Sequence, residues 1–288
     1  IDLHGFYPKG FAANLELIKE AYDLSEDEGL VTAFIFFTLA YRNLRRALNS
    51  FSYSDRGFFL VLEVIAKTLD LPLEKVQEML GPDGKLIRMA IFGVDLFFGK
   101  IDKKQLVSSI LTPCNKSRLT LDDVKYLPVI DSLVVPFLKG IKEEGPRGVN
   151  VLLYGPPGSG KTELGKLLIE QAGKKAYTLK LGREEKVLAC WERACKLSRN
   201  DAGTAILIDE ADDVFNSDLV QGTTDRTNKA RINAALENSK KLTVWTTNSL
   251  RSMDAAIIRR FHFVLKVGYP PRAQMEKLAQ GALAKSLS

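Results

Sequence analysis

Residues 155–162, Gly-Pro-Pro-Gly-Ser-Gly-Lys-Thr, decide the fold. The apolar run Val151–Tyr154 comes directly before them and predicts a buried strand, and a helical pattern begins near Gly160. The glycines let the backbone come close to a phosphate group, and the free N–H groups at the start of the helix face the same point. A strand, a glycine-rich loop and a helix in this order predict the phosphate-binding loop called Walker A.

A second apolar strand, Ala205–Ile208, ends in two acids, Asp209 and Glu210. Such a pair downstream of a Walker A loop is typical of a Walker B motif. Asp209 is expected to orient Mg²⁺ together with the hydroxyl of Thr162, and Glu210 is expected to polarise an attacking water.

Polar residues next to two further strands complete the predicted site. Asn248 follows the strand Leu242–Thr247, where an amide can hydrogen-bond both the γ-phosphate and the water. Arg259 and Arg260 precede the last strand, and guanidinium groups suit a γ-phosphate that a neighbouring subunit presents. We therefore predict catalytic roles for Glu210, Asn248, Arg259 and Arg260.

The predicted ligands of ATP and Mg²⁺ come from the two Walker motifs. Lys161 is expected to hold the β- and γ-phosphates, and Thr162 and Asp209 are expected to bind the magnesium ion. Asp212 and Asp213, which follow the second motif, are predicted to be solvated turn residues. The predicted cofactor-binding residues are Gly155, Pro156, Pro157, Gly158, Ser159, Gly160, Lys161, Thr162, Glu163 and Asp209.

The second half of the chain alternates short apolar strands with amphipathic helices, which is typical of a parallel sheet in an α/β layer fold. We predict a five-stranded parallel sheet between helices, preceded by a mainly helical domain. The predicted strands are Asn150–Tyr154, Ala176–Leu181, Thr204–Ile208, Leu242–Thr247 and His262–Val267.

The N-terminal part carries apolar residues at three- and four-residue steps, which indicates helices. A helix over Phe58–Leu69, a tight turn, a helix over Leu73–Leu80 and the apolar run Leu86–Val94 follow the order of a winged helix-turn-helix. The second helix carries Glu74 and Glu78, whose carboxylates would face DNA phosphates. Packing or partner docking is therefore favoured for this unit, and DNA binding is the alternative.

The composition of the chain indicates which compartment and which classes of partner to expect. The net charge is +6, and the chain up to Thr120 is neutral, so the excess lies after it and predicts either a nucleic-acid surface or a phosphate-facing subunit edge. The longest apolar run, Leu30–Tyr41, is shorter than the roughly 20 residues of a membrane span, so no membrane partner is expected. Three cysteines without metal-ligand spacing fit a reducing cytoplasm.

In their order and spacing, these motifs resemble those of the AAA+ ATPase family, over roughly residues 121–278. The resemblance implies that Asn248 is the family's sensor 1 residue and that Arg259 and Arg260 act in trans as arginine fingers. It implies that Leu121–Leu127 contacts adenine. It also implies a homo-oligomeric ring, usually a hexamer, that hydrolyses ATP between its subunits with Mg²⁺.

The chain departs from the family pattern at three places, and the first is the spacing of the arginines within Ile257–Phe261, which is tighter than in many members. No aromatic residue follows the strand Ala176–Leu181, where the family's pore loop usually carries one, so threading of a peptide through a pore is not implied. Only 16 residues follow Arg272, so the small helical lid with its sensor 2 arginine is expected to be missing and turnover to be slow.

The polar segment Asn216–Asn228 is expected to form either a substrate-contacting loop or a disordered surface loop.

These features divide the chain into a helical N-terminal domain (residues 1–110), a linker and lead-in (111–148) and the large subdomain of an AAA+ ATPase (149–288). The favoured function is an ATPase that works at the subunit interfaces of a ring and remodels a protein partner recognised by the N-terminal domain. Two alternatives are a DNA-directed factor of the loader or initiator type and an ATP-gated assembly scaffold with incidental turnover.

Overall fold

The computed structural model describes residues 10–41, 46, 55–81, 84–88, 103–141, 148–181, 187–215, 225–251, 253–272 and 274–276. Several predicted features lie outside these residues. They are most of the wing (89–94), the segment at the pore-loop position (182–186), most of the polar segment (216–224) and the C-terminal residues 277–288.

Contacts divide the described chain into two compact units. Unit 1 comprises the described residues of Ile1–Ile110 and Leu181–Leu197, and unit 2 comprises those of Leu111–Lys180 and Ser198–Ser288. The predicted domain ranges place residues 187–197 with the ATPase sheet, whereas these residues group with the N-terminal helices. The division into domains at residues 1–110, 111–148 and 149–288 stays a prediction.

Unit 1 is helical, as predicted. Its helices are α1 Phe11–Tyr22, α2 Glu26–Ala40, α3 Asp55–Leu69, α4 Leu73–Leu80, α5 Lys85–Arg88, α6 Lys103–Ile110 and, later in the chain, α9 Val187–Leu197. The buried face of α9, which includes Trp191 and Leu197, packs on α1 and α6. No helix in the part of the chain that the structure describes has the length and apolar character that a bilayer crossing requires.

The helix-turn-helix predicted in unit 1 is present, but the segment after it begins differently. The turn between α3 and α4 has Asp70 in the left-handed region, with a φ of 55°. The predicted run Leu86–Val94, for which the motif order implies an extended segment, begins within the short helix α5. The Lys85 ammonium holds the start of α5 against the turn between α1 and α2. It donates to the Asp23 carbonyl and to the Glu28 carboxylate, each at 2.7 Å.

Unit 2 is built on a six-stranded sheet. Its strands are β1 Leu111–Pro113, β2 Asn150–Tyr154, β3 Lys175–Leu179, β4 Thr204–Ile208, β5 Thr243–Thr247 and β6 Phe263–Lys266, and their order across the sheet is β1-β3-β4-β5-β2-β6. Strands β2 to β6 are parallel, which confirms the predicted parallel sheet. The edge strand β1 was not predicted and pairs antiparallel with β3.

The other elements of unit 2 are helices and turns. They are the lead-in turn Leu121–Val124, the π-helical turn Ile130–Val134, α7 Val135–Lys139, α8 Lys161–Gln171, α10 Asp212–Phe215, α11 Asp225–Asn238 and α12 Ala255–Ile258. Helix α8 lies close against the sheet because residue 165 is glycine. A Cβ there would lie 2.8 Å from Leu207 Cδ1 and 3.2 Å from Val244 Cγ1.

The register of the sheet brings the predicted motifs to one edge. Tyr154 lies opposite Thr247, and Ile208 lies opposite Trp245, so the carboxyl ends of β2, β4 and β5 lie together. Ligand sites in open α/β sheets occur in the crevice outside such ends.

Candidate functional site

The Walker A loop leaves β2 in a conformation that glycine permits. Gly158 and Gly160 have φ values of 74° and 88°, in the left-handed region, and a Cβ at either position would meet no atom within 4 Å. Gly155 is needed for a different reason, since a Cβ there would lie 2.0 Å from the Val267 carbonyl oxygen. The loop is therefore held against the end of β6 while its open side faces outward.

Lys161 begins α8, and its ammonium turns back over the loop. Nζ donates to the carbonyl oxygens of Gly155 at 2.8 Å and Pro156 at 2.9 Å, and to Asn248 Oδ1 at 3.1 Å. The side chain is buried. The structure thus brings together two predicted site residues, Lys161 and Asn248, that lie on α8 and after β5.

The next residue of α8 faces the acid that follows β4. Thr162 Oγ1 lies 3.0 Å and 2.9 Å from the two carboxylate oxygens of Asp209 and donates to them. A hydroxyl and a carboxylate in contact suit Mg²⁺, which takes one or two protein ligands and completes its shell with water and phosphate oxygens. Within the described ranges no group of three or more His, Cys, Asp or Glu side chains could hold a metal ion by itself. The contact between Thr162 and Asp209 fits a magnesium ion that arrives with a nucleotide.

One buried atom of the loop supports a phosphate at the same place. Ser159 Oγ is buried and has no hydrogen-bond partner among the residues that the structure describes. Buried polar groups are nearly always paired, so such an atom marks a position where a ligand or water completes the bonding. Together with the open space at the two glycines, it fits a phosphate group.

The hydroxyl of Thr246, on β5, connects the two predicted Walker B acids. It accepts a hydrogen bond from the Glu210 backbone N–H at 3.0 Å and donates to Asp209 Oδ1 at 2.5 Å. Glu210 has a φ of 53°, a left-handed conformation that is uncommon for glutamate, and its side chain is exposed. Strained backbone of this kind clusters at functional sites.

Asp212 departs from the prediction that it is a solvated turn residue. Its carboxylate accepts hydrogen bonds from Thr247 Oγ1 at 2.8 Å and from the Asn248 backbone N–H at 3.0 Å. Asp213 is exposed, as predicted. Sequence reasoning missed Asp212 and Thr246 because their partners lie on another strand.

Glu163 was predicted to bind the cofactor, but its carboxylate contacts the lead-in. It accepts from the Arg118 backbone N–H at 2.7 Å and from the Lys166 ammonium at 2.7 Å. Burial alone would raise the pKa of Glu163, but these two bonds outweigh it and lower the pKa below its ordinary value. Two turns later, Glu170 accepts from the Ser117 backbone N–H at 2.7 Å. The carboxylates of α8 thus fasten the lead-in beside the Walker A loop.

A residue near the C-terminal end of unit 2 also touches the loop. The hydroxyl of Tyr269 donates to the Pro157 carbonyl at 3.1 Å, and the Gln274 amide donates to the Asp122 carbonyl at 3.2 Å. Neither residue was predicted, because no motif contains them.

The structure does not bring the two predicted arginines to this place. The His262 N–H donates to the carbonyl of Asn150, the first residue of β2, at 2.8 Å, so Arg259 and Arg260 lie at the amino edge of the sheet. A five-residue strand spans roughly 13 Å, and Lys161 lies beyond the opposite end of β2. Arg260 pairs with Glu237 at 2.8 Å.

A cavity of about 420 Å³ lies beside these arginines. It is lined by Gly148, Leu236, Glu237, Asn238, Arg259, Arg260, Phe261 and His262. His262 Nδ1 accepts from the Asn150 N–H at 3.2 Å, and burial lowers the pKa of this imidazole. The wall of this cavity carries two guanidinium groups, and the one on Arg260 is paired with the Glu237 carboxylate.

Comparison with known proteins agrees with this geometry. The model of the ATPase family associated with various cellular activities (AAA) matches residues 151–269, which include both Walker motifs, Asn248 and both arginines.

Curated relatives are similar over part of their length. An outer mitochondrial transmembrane helix translocase of Danio rerio is 28% identical over 202 residues, covering 60% of this chain and 51% of that protein. A probable spastin homolog of Brugia malayi is 23% identical over 212 residues, covering 68% and 44%. A mitochondrial sorting homolog of Caenorhabditis elegans is 28% identical over 155 residues, covering 46% and 42%. The chain spans about half the length of these relatives.

Solved structures with a similar chain include the FIGL-1 AAA domain in complex with ADP, at a TM-score of 0.44 and 22% identity, covering 65% of this chain and 69% of that chain. A chain of the E. coli MS115-1 HORMA:CdnC:Trip13 complex has a TM-score of 0.38 and 21% identity, covering 65% and 72%.

Proposed function

Through residues 151–269 the chain belongs to the ATPase family associated with various cellular activities, and on this premise we propose that it binds and hydrolyses Mg-ATP. One observation carries the proposal. The Thr162 hydroxyl contacts the Asp209 carboxylate, beside the contact between Lys161 and Asn248, so a metal-binding pair and a phosphate-binding pair adjoin at the carboxyl edge of the sheet.

The contacts of Lys161, Thr162 and Asp209 indicate which part of Mg-ATP each of them would bind. The Lys161 ammonium leaves the carbonyls of Gly155 and Pro156 for the β- and γ-phosphates, which are stronger acceptors because they are charged. Thr162 and Asp209 would hold Mg²⁺. Magnesium, when bound, neutralises charge on the phosphate oxygens as a Lewis acid.

Glu210 and Asn248 act on the water. The exposed carboxylate of Glu210 accepts a proton from the attacking water, and the Asn248 amide orients that water and the γ-phosphate. The products are ADP and phosphate. Thr246 fixes the backbone that carries Glu210 and also contacts Asp209, so it holds the general base in place relative to the metal-binding acid.

Arg259 and Arg260 serve a neighbouring copy. They lie at the amino edge of the sheet, roughly one strand length from their own Lys161, so they cannot reach the γ-phosphate bound there. A guanidinium group stabilises the charge of phosphoryl transfer when a second copy presents it. A head-to-tail contact that closes gives a ring, which is the assembly we propose; a hexamer is the expected size.

The work that hydrolysis drives is the remodelling of a protein partner. One relative is named a transmembrane helix translocase, so its substrate is a protein segment. We extend a protein substrate to this chain, with the helices of unit 1 as the docking part. The cytoplasmic location expected from the cysteines stays a prediction.

The charges of α4 do not favour a DNA-directed role for this helix. The basic residue of α4, Lys75, forms an ion pair with Asp27, and the other charged residues of the helix are Glu74 and Glu78. Non-specific DNA affinity comes from cations that replace counterions at phosphates, and this helix offers two carboxylates instead.

Measuring ATP binding and turnover tests the proposal. We expect Lys161→Ala to weaken binding of a fluorescent ATP analogue at least about tenfold, because a charged phosphate contact is lost. We expect Glu210→Gln to bind the analogue normally and to hydrolyse ATP at least about 100-fold more slowly, as loss of a general base predicts. Lys166→Ala is the matched control for the lysine, since Lys166 lies on the same helix and pairs with Glu163.

The outcomes separate the candidate functions. Turnover by the wild type that Glu210→Gln abolishes supports the ATPase. Binding without turnover in the wild type would leave only the ATP-gated scaffold. Equal binding by Lys161→Ala and Lys166→Ala would contradict nucleotide binding at the Walker A loop.

A further inference from the structure

Asp212 contacts the proposed site through hydrogen bonds from three donor groups, which no sequence motif predicts. Its carboxylate accepts from Thr247 Oγ1 at 2.8 Å, from the Asn248 backbone N–H at 3.0 Å and from the Asn248 side-chain amide nitrogen at 3.4 Å. Both donor residues lie at the carboxyl end of β5. An acid that begins a separate helix is therefore bound to the backbone and the side chain of the sensor residue.

The helix that carries Asp212 is fixed in place. The Ala211 N–H donates to the Thr246 carbonyl at 2.8 Å, which continues the strand contact up to the start of α10. At the other end of α10, Phe215 is buried and packs on Trp245 at 5.4 Å and on Phe261 at 5.9 Å between ring centroids. Asp212 thus lies between two anchored residues, so its carboxylate has a defined position relative to β5.

The chemistry of the carboxylate gives these contacts a consequence for Asn248. An ionised carboxylate only accepts hydrogen bonds, so it selects the NH₂ end of the Asn248 amide and turns the oxygen the other way. That oxygen accepts from Lys161 Nζ at 3.1 Å. The amide nitrogen has a second N–H, which remains for a γ-phosphate oxygen or the attacking water. The ammonium of Lys161 only donates and the carboxylate of Asp212 only accepts, so the two groups together fix both ends of the amide, and loss of the carboxylate leaves the nitrogen end unheld.

We propose that Asp212 is a positioning residue for ATP hydrolysis, which sets the orientation of the Asn248 amide between Lys161 and the γ-phosphate. This inference rests on the proposed ATPase function. Asp212 acts through Asn248 and does not itself touch the substrate. Its neighbour Asp213 shares the same short helix and is exposed, so it provides a matched control.

The test compares Asp212→Asn with Asp213→Asn and places Asp212→Asn in an Asn248→Ala background. Asp212→Asn keeps the shape and loses the acceptor-only character. We expect its kcat to fall about tenfold, because a misoriented Asn248 amide slows the hydrolysis step. The KM for ATP should change less than about threefold, because the contacts that bind ATP in the ground state remain. Asp213→Asn should match the wild type. In the Asn248→Ala background, Asp212→Asn should change kcat less than about twofold, because coupled residues are not additive.

A second readout does not depend on turnover. Fluorescent ATP and ADP analogues measure how well the site recognises the γ-phosphate. We expect Asp212→Asn to lower the ratio of ATP affinity to ADP affinity about fivefold, and the thermal unfolding midpoint to match that of Asp213→Asn. If the wild type binds but does not turn over, the hydrolysis proposal fails and this ratio still decides the role of Asp212.

Other outcomes overturn the inference. Equal kcat and equal affinity ratios for Asp212→Asn and Asp213→Asn would do so, as would the same loss with and without Asn248. Should Asp212→Asn not fold, Asp212→Glu replaces it, since this variant keeps the charge and displaces the carboxylate by one methylene. An Asp212→Glu protein with wild-type kcat and affinity ratio would reduce Asp212 to a stabilising residue.

Discussion

The single hydroxyl of Thr246 forms hydrogen bonds with both predicted Walker B acids. It accepts the Glu210 N–H and donates to Asp209, and it is fully buried. Thr246→Val keeps the shape of the side chain and removes both bonds. We expect its free energy of unfolding to fall by about 1 kcal/mol, because the part-buried Glu210 N–H loses its partner and the Asp209 carboxylate loses one of its two hydroxyl donors. ATP turnover should fall about 100-fold as the general base moves.

Urea denaturation and phosphate release measure the two effects. Thr246→Ser is the control, since it keeps the hydroxyl and loses one methyl group, and it should retain most of the turnover. Equal activity of the valine and serine variants would show that the hydroxyl does not hold Glu210 for catalysis.

Single residues were predictable where a motif contains them. Lys161, Thr162, Asp209 and Asn248 lie within or beside strand ends that the sequence marks by its apolar runs, and the structure brings all four together. The role of Asp212 was not predictable, because its hydrogen bonds join segments about thirty-five residues apart in the chain, as the pairing of β4 with β5 dictates.

Glu163 has a side-chain contact that its position in the motif did not indicate. Its place directly after Lys161-Thr162 predicts a nucleotide ligand, which stays a prediction, and α8 turns its carboxylate toward the lead-in. Helix geometry decides this, since successive residues of a helix point about 100° apart.

At the scale of elements, the sheet was predictable and its edge was not. Five continuous apolar runs predicted β2 to β6, because parallel strands are buried on both faces. Strand β1 has three residues, ends in Pro113 and buries only Leu111, so it has no apolar run to indicate it. The grouping of α9 with unit 1 was missed for a related reason: its apolar face does not say which neighbour will cover it.

The lead-in is held to α8 by a bond whose strength depends on pH. Glu163 has a lowered pKa, and an acid of this kind stabilises the fold above its ordinary pKa of 4.5 and loses that effect as the pH falls through the lowered value. We expect Glu163→Gln to lower the free energy of unfolding by about 1 kcal/mol at pH 7, since it loses a charge-assisted bond to Arg118 N–H and the pair with Lys166.

Urea denaturation of both proteins between pH 3 and pH 7 checks this expectation. The stability difference should be constant from about pH 6 to pH 7 and should shrink below about pH 4.5. Glu276→Gln is the control, because Glu276 forms an exposed pair with Arg272 and should contribute little. A difference that persists unchanged at the lowest pH would exclude the ionised Glu163 as its source.

For the whole molecule, the direction of the parallel strands separates the two halves of the proposed active site. Walker residues follow the carboxyl ends of β2 and β4, while Arg259 and Arg260 come before the amino end of β6. One copy therefore presents a phosphate-binding edge and an arginine edge on opposite sides of its sheet. Two copies stacked head to tail would join one edge of each kind, which is the geometry that a ring repeats.

Mixing two inactive variants tests this sharing directly. Glu210→Gln keeps both arginines, and the double variant Arg259→Ala with Arg260→Ala keeps the Walker residues. We expect each alone to lose at least about 100-fold in turnover, since a trans arginine contributes roughly 10³–10⁵ in related phosphoryl transfers. In an equal mixture about one interface in four combines an intact Glu210 with intact arginines, so turnover should recover to about a quarter of the wild-type rate.

The dependence on concentration provides the internal control for this mixture. Shared sites exist only in the assembly, so wild-type turnover per chain should rise with protein concentration, and the mixture should follow the same curve. If the mixture were no more active than the sum of its two parents while wild-type turnover rose with concentration, assembly would matter but these arginines would not act across the interface. Wild-type turnover that is independent of concentration down to dilutions where light scattering shows single chains would place the whole reaction within one copy. The arginine edge and its cavity would then have to serve another anion.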